Sequence, residues 1–208
     1  MASKVCILTA GRGTRMGSYS AIVNKALLPV DRKAAISHII EKFPKQTEFV
    51  VGLGFLKEQV QNYLKIAHPE TRFTFIDVEN FDGPGSGPGL SLQYCSKALQ
   101  CPFYFLSCDT LWDEPVDPKL AEDWFGVATV AAAESPDYCN FEIQNGRVVS
   151  IRDKERVDGP QFKAFVGLCH IQNYKTFWNG IAEKVTVKGE SQVSKGIAAI
   201  LKNHQPLA

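Results

Sequence analysis

The chain has 208 residues, enough for one sizeable domain and room for an appendage. Its 23 lysines and arginines nearly balance 22 aspartates and glutamates, so no broad basic surface favours nucleic acid, and any bound anion must be gripped by a few placed cations. No apolar run is long enough to span a bilayer, and the N-terminal one is broken by Gly11 too soon for a signal peptide. A cytoplasmic protein with neither a membrane nor a nucleic-acid partner is expected. The six cysteines, at positions 6, 95, 101, 108, 139 and 169, form no C-x-x-C pair and no zinc spacing, which suits reduced thiols packed as small hydrophobes.

The first predicted element is a short buried strand, Val5-Cys6-Ile7-Leu8. It runs into a loop holding Gly11, Gly13 and Gly17, with Arg15 inside the loop and Lys25 just beyond it. Glycines there let the backbone bend round a ligand with its N–H groups outward, and the two cations complete a site suited to a nucleoside triphosphate. The spacing G-x-G-x-x-x-G is one residue too long for a dinucleotide fingerprint, and no Gly-Lys-Ser/Thr of a Walker loop is present. A nicotinamide oxidoreductase would need that spacing tolerated and Asp31 to reach a ribose.

Ile36, Ile39, Ile40 and Phe43 mark one face of a helix ended by Pro44. A strand at 49–53, a helix at 57–64 and a strand at 72–78 follow. Gly83-Pro84-Gly85-Ser86-Gly87-Pro88-Gly89 cannot be a strand or a helix interior. A helical pattern over 90–99 then leads to a strand at 103–108 that stops at Asp109. This alternation predicts an α/β, Rossmann-like sheet, mostly parallel and flanked by helices, with ligands gathered at the carboxyl ends of the strands. In the second half, residues 127–133 read as a strand, 141–149 as a hairpin about Asn145-Gly146, and 165–171 as another strand. Helices are predicted near Tyr174 to Ile181 and near Ile197 to Leu201. One domain of two lobes, 1–112 and 113–208, is expected.

Residues 8–16 and the run Asn24-Lys25-Ala26-Leu27-Leu28-Pro29-Val30 resemble the signature of the sugar-phosphate nucleotidyltransferases, the NDP-sugar pyrophosphorylase-like family that includes phosphocholine-type cytidylyltransferases. The usual form has Pro where this chain has Asn24. The resemblance continues at Asn80 and Gly85-Ser86-Gly87, in place of a common Gln and Gly-Thr-Ala. It returns at Ser107-Cys108-Asp109-Thr110, Asp137-Tyr138, Asn145-Gly146-Arg147-Val148, Asp153-Lys154 and Phe165-Val166-Gly167-Leu168, in order over residues 4 to about 170.

The resemblance implies a glycosyltransferase-A-like fold and a reaction in which NMP passes from an NTP to a phosphorylated small molecule, releasing pyrophosphate. Arg15 would hold the leaving phosphates with the backbone of Ala10, Gly11, Gly13 and Thr14. Lys25 would bridge the α-phosphate and the attacking phosphate, and Asp109 would carry Mg²⁺. Asn80, Gly85 and Ser86 would meet the base. Tyr138, Lys154 and Gly167 would meet the acceptor. Family members carry a second metal-binding Asp near the C-terminus in a Trp-x-Asp-x-Gly context, and this sequence has no such motif. Either the second lobe is shortened, or the metal rests on Asp109, the phosphates and another residue, for which Glu190 is the candidate. The acceptor expected is a sugar 1-phosphate supplying polysaccharide synthesis, with phosphocholine and CTP as the alternative. A nucleotide-binding module without catalysis is the rival from another class, and a homo-oligomer is compatible with all three.

Overall fold

A computed structural model describes residues 3–113, 116, 121–182, 186–204 and 206–208. The strands are β1 (Lys4–Leu8), the short β2 (Pro29–Val30) and β3 (Lys33–Ala34), β4 (Glu48–Leu53), β5 (Arg72–Asp77), β6 (Phe103–Ser107), β7 (Trp124–Ala128), β8 (Cys139–Gln144), β9 (Arg147–Asp153) and β10 (Phe162–Ile171). The α-helices are α1 (Ala35–Glu41), α2 (Lys57–Ala67), α3 (Pro88–Cys95), α4 (Tyr174–Ile181) and α5 (Ser194–Leu201). None of the described helices is long and apolar enough to cross a membrane.

Eight strands form one sheet in the order β5-β4-β1-β6-β10-β8-β9, with β7 pairing β10 as well; β2 and β3 make a separate hairpin. The first four are parallel, and β10 turns antiparallel to β6, β7 and β8. Burial on both faces explains why the parallel strands read as unbroken apolar runs. Cys6, Val50, Phe103 and Phe105 point to a core shared with α3, α4 and α5, through Leu92, Phe177 and Ile197. Their neighbours Val5, Ile7, Phe49, Val51, Tyr104 and Leu106 point the other way, onto Ile36, Ile39, Val60 and Leu64 of α1 and α2.

Two predicted elements shift. The helix after the glycine loop ends at Glu41, before Phe43. The strand expected at 127–133 lies instead at Trp124–Ala128, because Phe125, 1% exposed, supplies the core contact, whereas the alanines at 131–133 have no side chain large enough to anchor an edge. Residues 135–137 then form a short 3₁₀ turn. His170, inside β10, is a satisfied core histidine. Its ring nitrogens meet the Glu122 carbonyl at 2.8 Å and Ser3 Oγ at 3.1 Å, and burial lowers its pKa.

Candidate active site

The chain leaves β1 towards β4 and β5 on one side and returns, through α3, to β6 on the other. The sheet therefore changes direction between β1 and β6, and a ligand crevice belongs at the carboxyl ends of those two strands. β1 delivers the glycine loop there, and β6 delivers Asp109. Their side chains meet: Lys25 Nζ lies 2.9 Å from Asp109 Oδ2, with the lysine 28% and the aspartate 51% exposed.

Asn24 makes this loop what it is. It is buried, with Nδ2 donating to the carbonyls of Thr9 at 2.9 Å and Phe55 at 2.6 Å, while Oδ1 accepts from Ala26 N–H at 2.9 Å. A proline in its place could supply none of these bonds. Asn24→Ala strands two carbonyls and an amide, at a cost of about 2–4 kcal/mol. The melting temperature should fall by roughly 5–15 °C in a thermal scan; a change under about 2 °C contradicts this role.

Gly13 (φ 67°) takes the left-handed turn that starts a 3₁₀ segment, Thr14–Ala21, and a Cβ there would press on Met16 and Lys25. Gly11 differs. Its φ is ordinary and a Cβ would meet nothing within 4 Å, so the protein's own packing does not require a glycine. The amides of Gly11, Arg12, Gly13 and Thr14 find no protein acceptor among the described residues. Open space over a run of free N–H groups is the geometry of an anion cradle. Gly11→Ala should leave stability unchanged or raise it by up to about 1 kcal/mol, yet weaken NTP binding by about tenfold or more. Equal affinity in a binding titration would show that no ligand uses that space.

Separate contacts anchor several of the segments that carry expected site residues. Arg12 reaches across to Asp82 at the start of the second glycine loop, and its guanidinium covers the Phe55 ring at 5.1 Å. That second loop is docked on residues 189–191: Gly85 N–H donates to Gly189 O, Ser191 N–H to Ser86 O and Gly89 N–H to Ser191 O, at 2.8–2.9 Å. The same segment continues to Ser194, whose hydroxyl donates to Asp153, and to Lys188, which reaches the Pro136 carbonyl at 3.2 Å. Beside Asp153, Lys154 holds a left-handed backbone (φ 59°), with its N–H on Tyr138 O and its Nζ on Asp137 O. Gly167 (φ 77°) lies against Ser107, one strand end from Asp109.

The fate of each expected residue follows from this. Lys25 and Asp109 are paired, and Tyr138 and Lys154 are joined through backbone. Ala10 is buried, its carbonyl holding Phe55 N–H at 2.9 Å. Thr14 and Arg15 are exposed, and Arg15 makes no ion pair among the described residues. Asn80 is exposed with Nδ2 on Tyr94 OH at 3.2 Å. The Gly85 amide and the Ser86 carbonyl are committed to the 189–191 segment rather than free. Glu190 lies in that segment, and its carboxylate accepts from Gln192 at 2.9 Å. No trio of His, Cys, Asp or Glu side chains converges among the described residues. Two cavities, about 320 Å³ beside Asn140 and Phe162 and about 420 Å³ beside Phe43 and His68, contain none of the expected site residues. Open cradles with exposed cations suit a triphosphate better than an enclosed apolar hole. Arg12 and Thr110 fall inside the matched stretches and Glu190 inside residues 187–194. Nothing in the sequence, however, assigned a role to Arg12, Asp82 or Thr110, or signalled that 189–191 docks on the second glycine loop.

A mostly parallel α/β sheet thus presents, at its switch point, a run of backbone amides without protein acceptors among the described residues and a carboxylate paired with a lysine, an arrangement of the open-sheet, ligand-binding α/β class. The chain belongs to the MobA-like NTP transferase domain family, which matches residues 5–141. It is 27% identical to the bifunctional protein GlmU of Campylobacter lari over 206 residues, covering 98% of this chain and 43% of that protein. The chain thus spans less than half the length of the curated relatives it matches first. Among solved structures it resembles a UDP-glucose pyrophosphorylase complexed with UDP-glucose, at a TM-score of 0.77 and 17% identity over 99% of this chain and 89% of that one. It also resembles the CTP:phosphocholine cytidylyltransferase from Streptococcus pneumoniae, at a TM-score of 0.69 and 20% identity over 100% and 89% of the two chains.

Proposed function

We propose that the protein transfers NMP from an NTP to the phosphate of a small metabolite, a sugar 1-phosphate, and releases pyrophosphate. The observation that carries this reading is the pairing of Lys25 with Asp109 beside a run of free backbone amides. An acceptor phosphate oxygen attacks the α-phosphorus, the bond to the bridging oxygen of the β-phosphate breaks, and that oxygen leaves with pyrophosphate. Both reactants are anions, so lowering the barrier is mainly electrostatic work. The amides of Gly11 to Thr14 and the exposed Arg15 bind the β- and γ-phosphates. Lys25 turns from Asp109 to the α-phosphate and holds it against the incoming phosphate.

The residues fit a divalent cation such as Mg²⁺. Asp109 offers one half-exposed hard oxygen donor, and phosphates and water can complete the coordination such an ion prefers. When bound there, Mg²⁺ supplies charge neutralisation on the triphosphate. No protein nucleophile is needed. The neighbouring Cys108 thiol, pushed up to about 12 by burial, remains protonated at neutral pH.

Tyr138, Lys154 and Gly167 are the residues assigned to the acceptor, and Asn80 with the 83–89 loop to the base. With a sugar 1-phosphate acceptor the product is a nucleotide sugar, and we place this supply in the cytoplasm, for polysaccharide synthesis. CTP with phosphocholine is the second reading, favoured by the end-to-end likeness to the cytidylyltransferase. Pyrophosphate release should be assayed with each of the four common NTPs against sugar 1-phosphates and phosphocholine, in Mg²⁺. One pair should stand well above the others, and its NTP should raise the melting temperature. Nucleotide binding without release for any pair points to the non-catalytic module instead.

A further inference from the structure

The turn carrying Asp109 and the strand carrying Gly167 are joined by one side chain to which no role has been given. Between Phe165 and Cys169, four steps of β10 face only two of β7, so this stretch bulges out of register. Its ladder with β6 starts only at Leu168, opposite Leu106. Val166 falls inside the bulge, and its carbonyl accepts a hydrogen bond from the Thr110 hydroxyl. Thr110 is itself anchored, with its N–H on Ser107 O at 3.2 Å. The adjoining Gly167 approaches so closely that a Cβ would fall 2.4 Å from Ser107 Oγ. Bulges re-aim a strand beside a site, and a freed carbonyl needs a partner.

We propose that Thr110 is a positioning residue: its hydroxyl holds the Val166–Gly167 bulge against the Asp109 turn and so sets where the acceptor phosphate sits relative to the nucleotide. This rests on the transferase reading above. Thr110→Val keeps the side-chain shape and removes the donor, leaving the Val166 carbonyl unpartnered. Thr110→Ser keeps the donor. The triphosphate cradle is built by β1 and its loop, so the loss falls on the acceptor side.

The test compares wild type, Thr110→Val, Thr110→Ala and Thr110→Ser with two probe pairs, UTP with glucose 1-phosphate and CTP with phosphocholine. Hydrogen–deuterium exchange is followed over residues 162–171. In both donor-less variants kcat/KM for the acceptor should fall about 10–100-fold, while KM for the NTP stays within about twofold. Thr110→Ser should retain activity within about threefold of wild type, and exchange should quicken at 165–168 only when the hydroxyl is absent. Unchanged kinetics, an equal loss in the serine variant, or a loss shared equally by NTP and acceptor overturns the proposal. If neither pair turns over in wild type, that result counts against these transferase readings. Exchange then decides the positioning alone, and unaltered exchange at 165–168 refutes it.

Discussion

Lys25→Ala should lower kcat by about a thousandfold, equivalent to about 4 kcal/mol of lost transition-state stabilisation, and leave the melting temperature within about 2 °C of wild type. The two halves of that result have separate causes. In the free protein Lys25 spends its charge on Asp109 at 2.9 Å, in a pair whose aspartate is half exposed, and such pairs contribute little to folding. Its stem runs beneath Gly13, where a Cβ would approach Lys25 Cβ to 3.4 Å, so the ammonium is aimed across the cradle rather than free to wander. In the proposed transfer that charge bridges the α-phosphate and the incoming phosphate, a place assigned to no other side chain. Steady-state kinetics beside a thermal scan checks both halves. Turnover within tenfold of wild type removes Lys25 from the reaction.

Asp109→Asn should be equally damaging to turnover, about 10²–10³-fold, with a signature opposite in sign for binding. Removing the carboxylate frees Lys25 and makes the crevice more positive, so a metal-free NTP should bind more tightly than to wild type. In Lys25→Ala it should bind less tightly. The asparagine variant should also need far more Mg²⁺ for its residual activity, because it lacks the carboxylate proposed to hold the metal. A titration of NTP in chelator, followed by Mg²⁺ titrations of activity, separates these effects. A wild-type Mg²⁺ requirement in Asp109→Asn contradicts the assignment.

The placement of the glycine loop and of Asp109 was legible because each follows a strand that stops, and β-α alternation places such stops on one edge of a sheet. Lys25 was picked out only by the motif around it. Asn24 reads in sequence as a departure from a proline. Only its bonds to Thr9, Phe55 and Ala26 reveal that an amide can organise the same loop. What stayed hidden depends on distant pairings. Arg12 and Asp82 are 70 residues apart, and Thr110 and Val166 are 56 apart. The docking of 189–191 on the second glycine loop uses backbone bonds alone, which leave no trace in side-chain pattern. The misplaced strand near 127–133 has a similar origin. A run of small apolar residues satisfies a hydropathy pattern, but strand position follows the large side chain, Phe125, that fills the core.

The most direct test follows the phosphorus itself. Wild-type protein is incubated with Mg²⁺, the acceptor chosen by the pyrophosphate assay and its NTP carrying label at either the α- or the γ-phosphate. α-Label should move into a nucleotide-activated metabolite while γ-label leaves in pyrophosphate, and both transfers should fade together in Lys25→Ala and Asp109→Asn. Release of α-label as free NMP, or of γ-label as inorganic phosphate, would contradict transfer between two phosphates held at the Lys25–Asp109 pair.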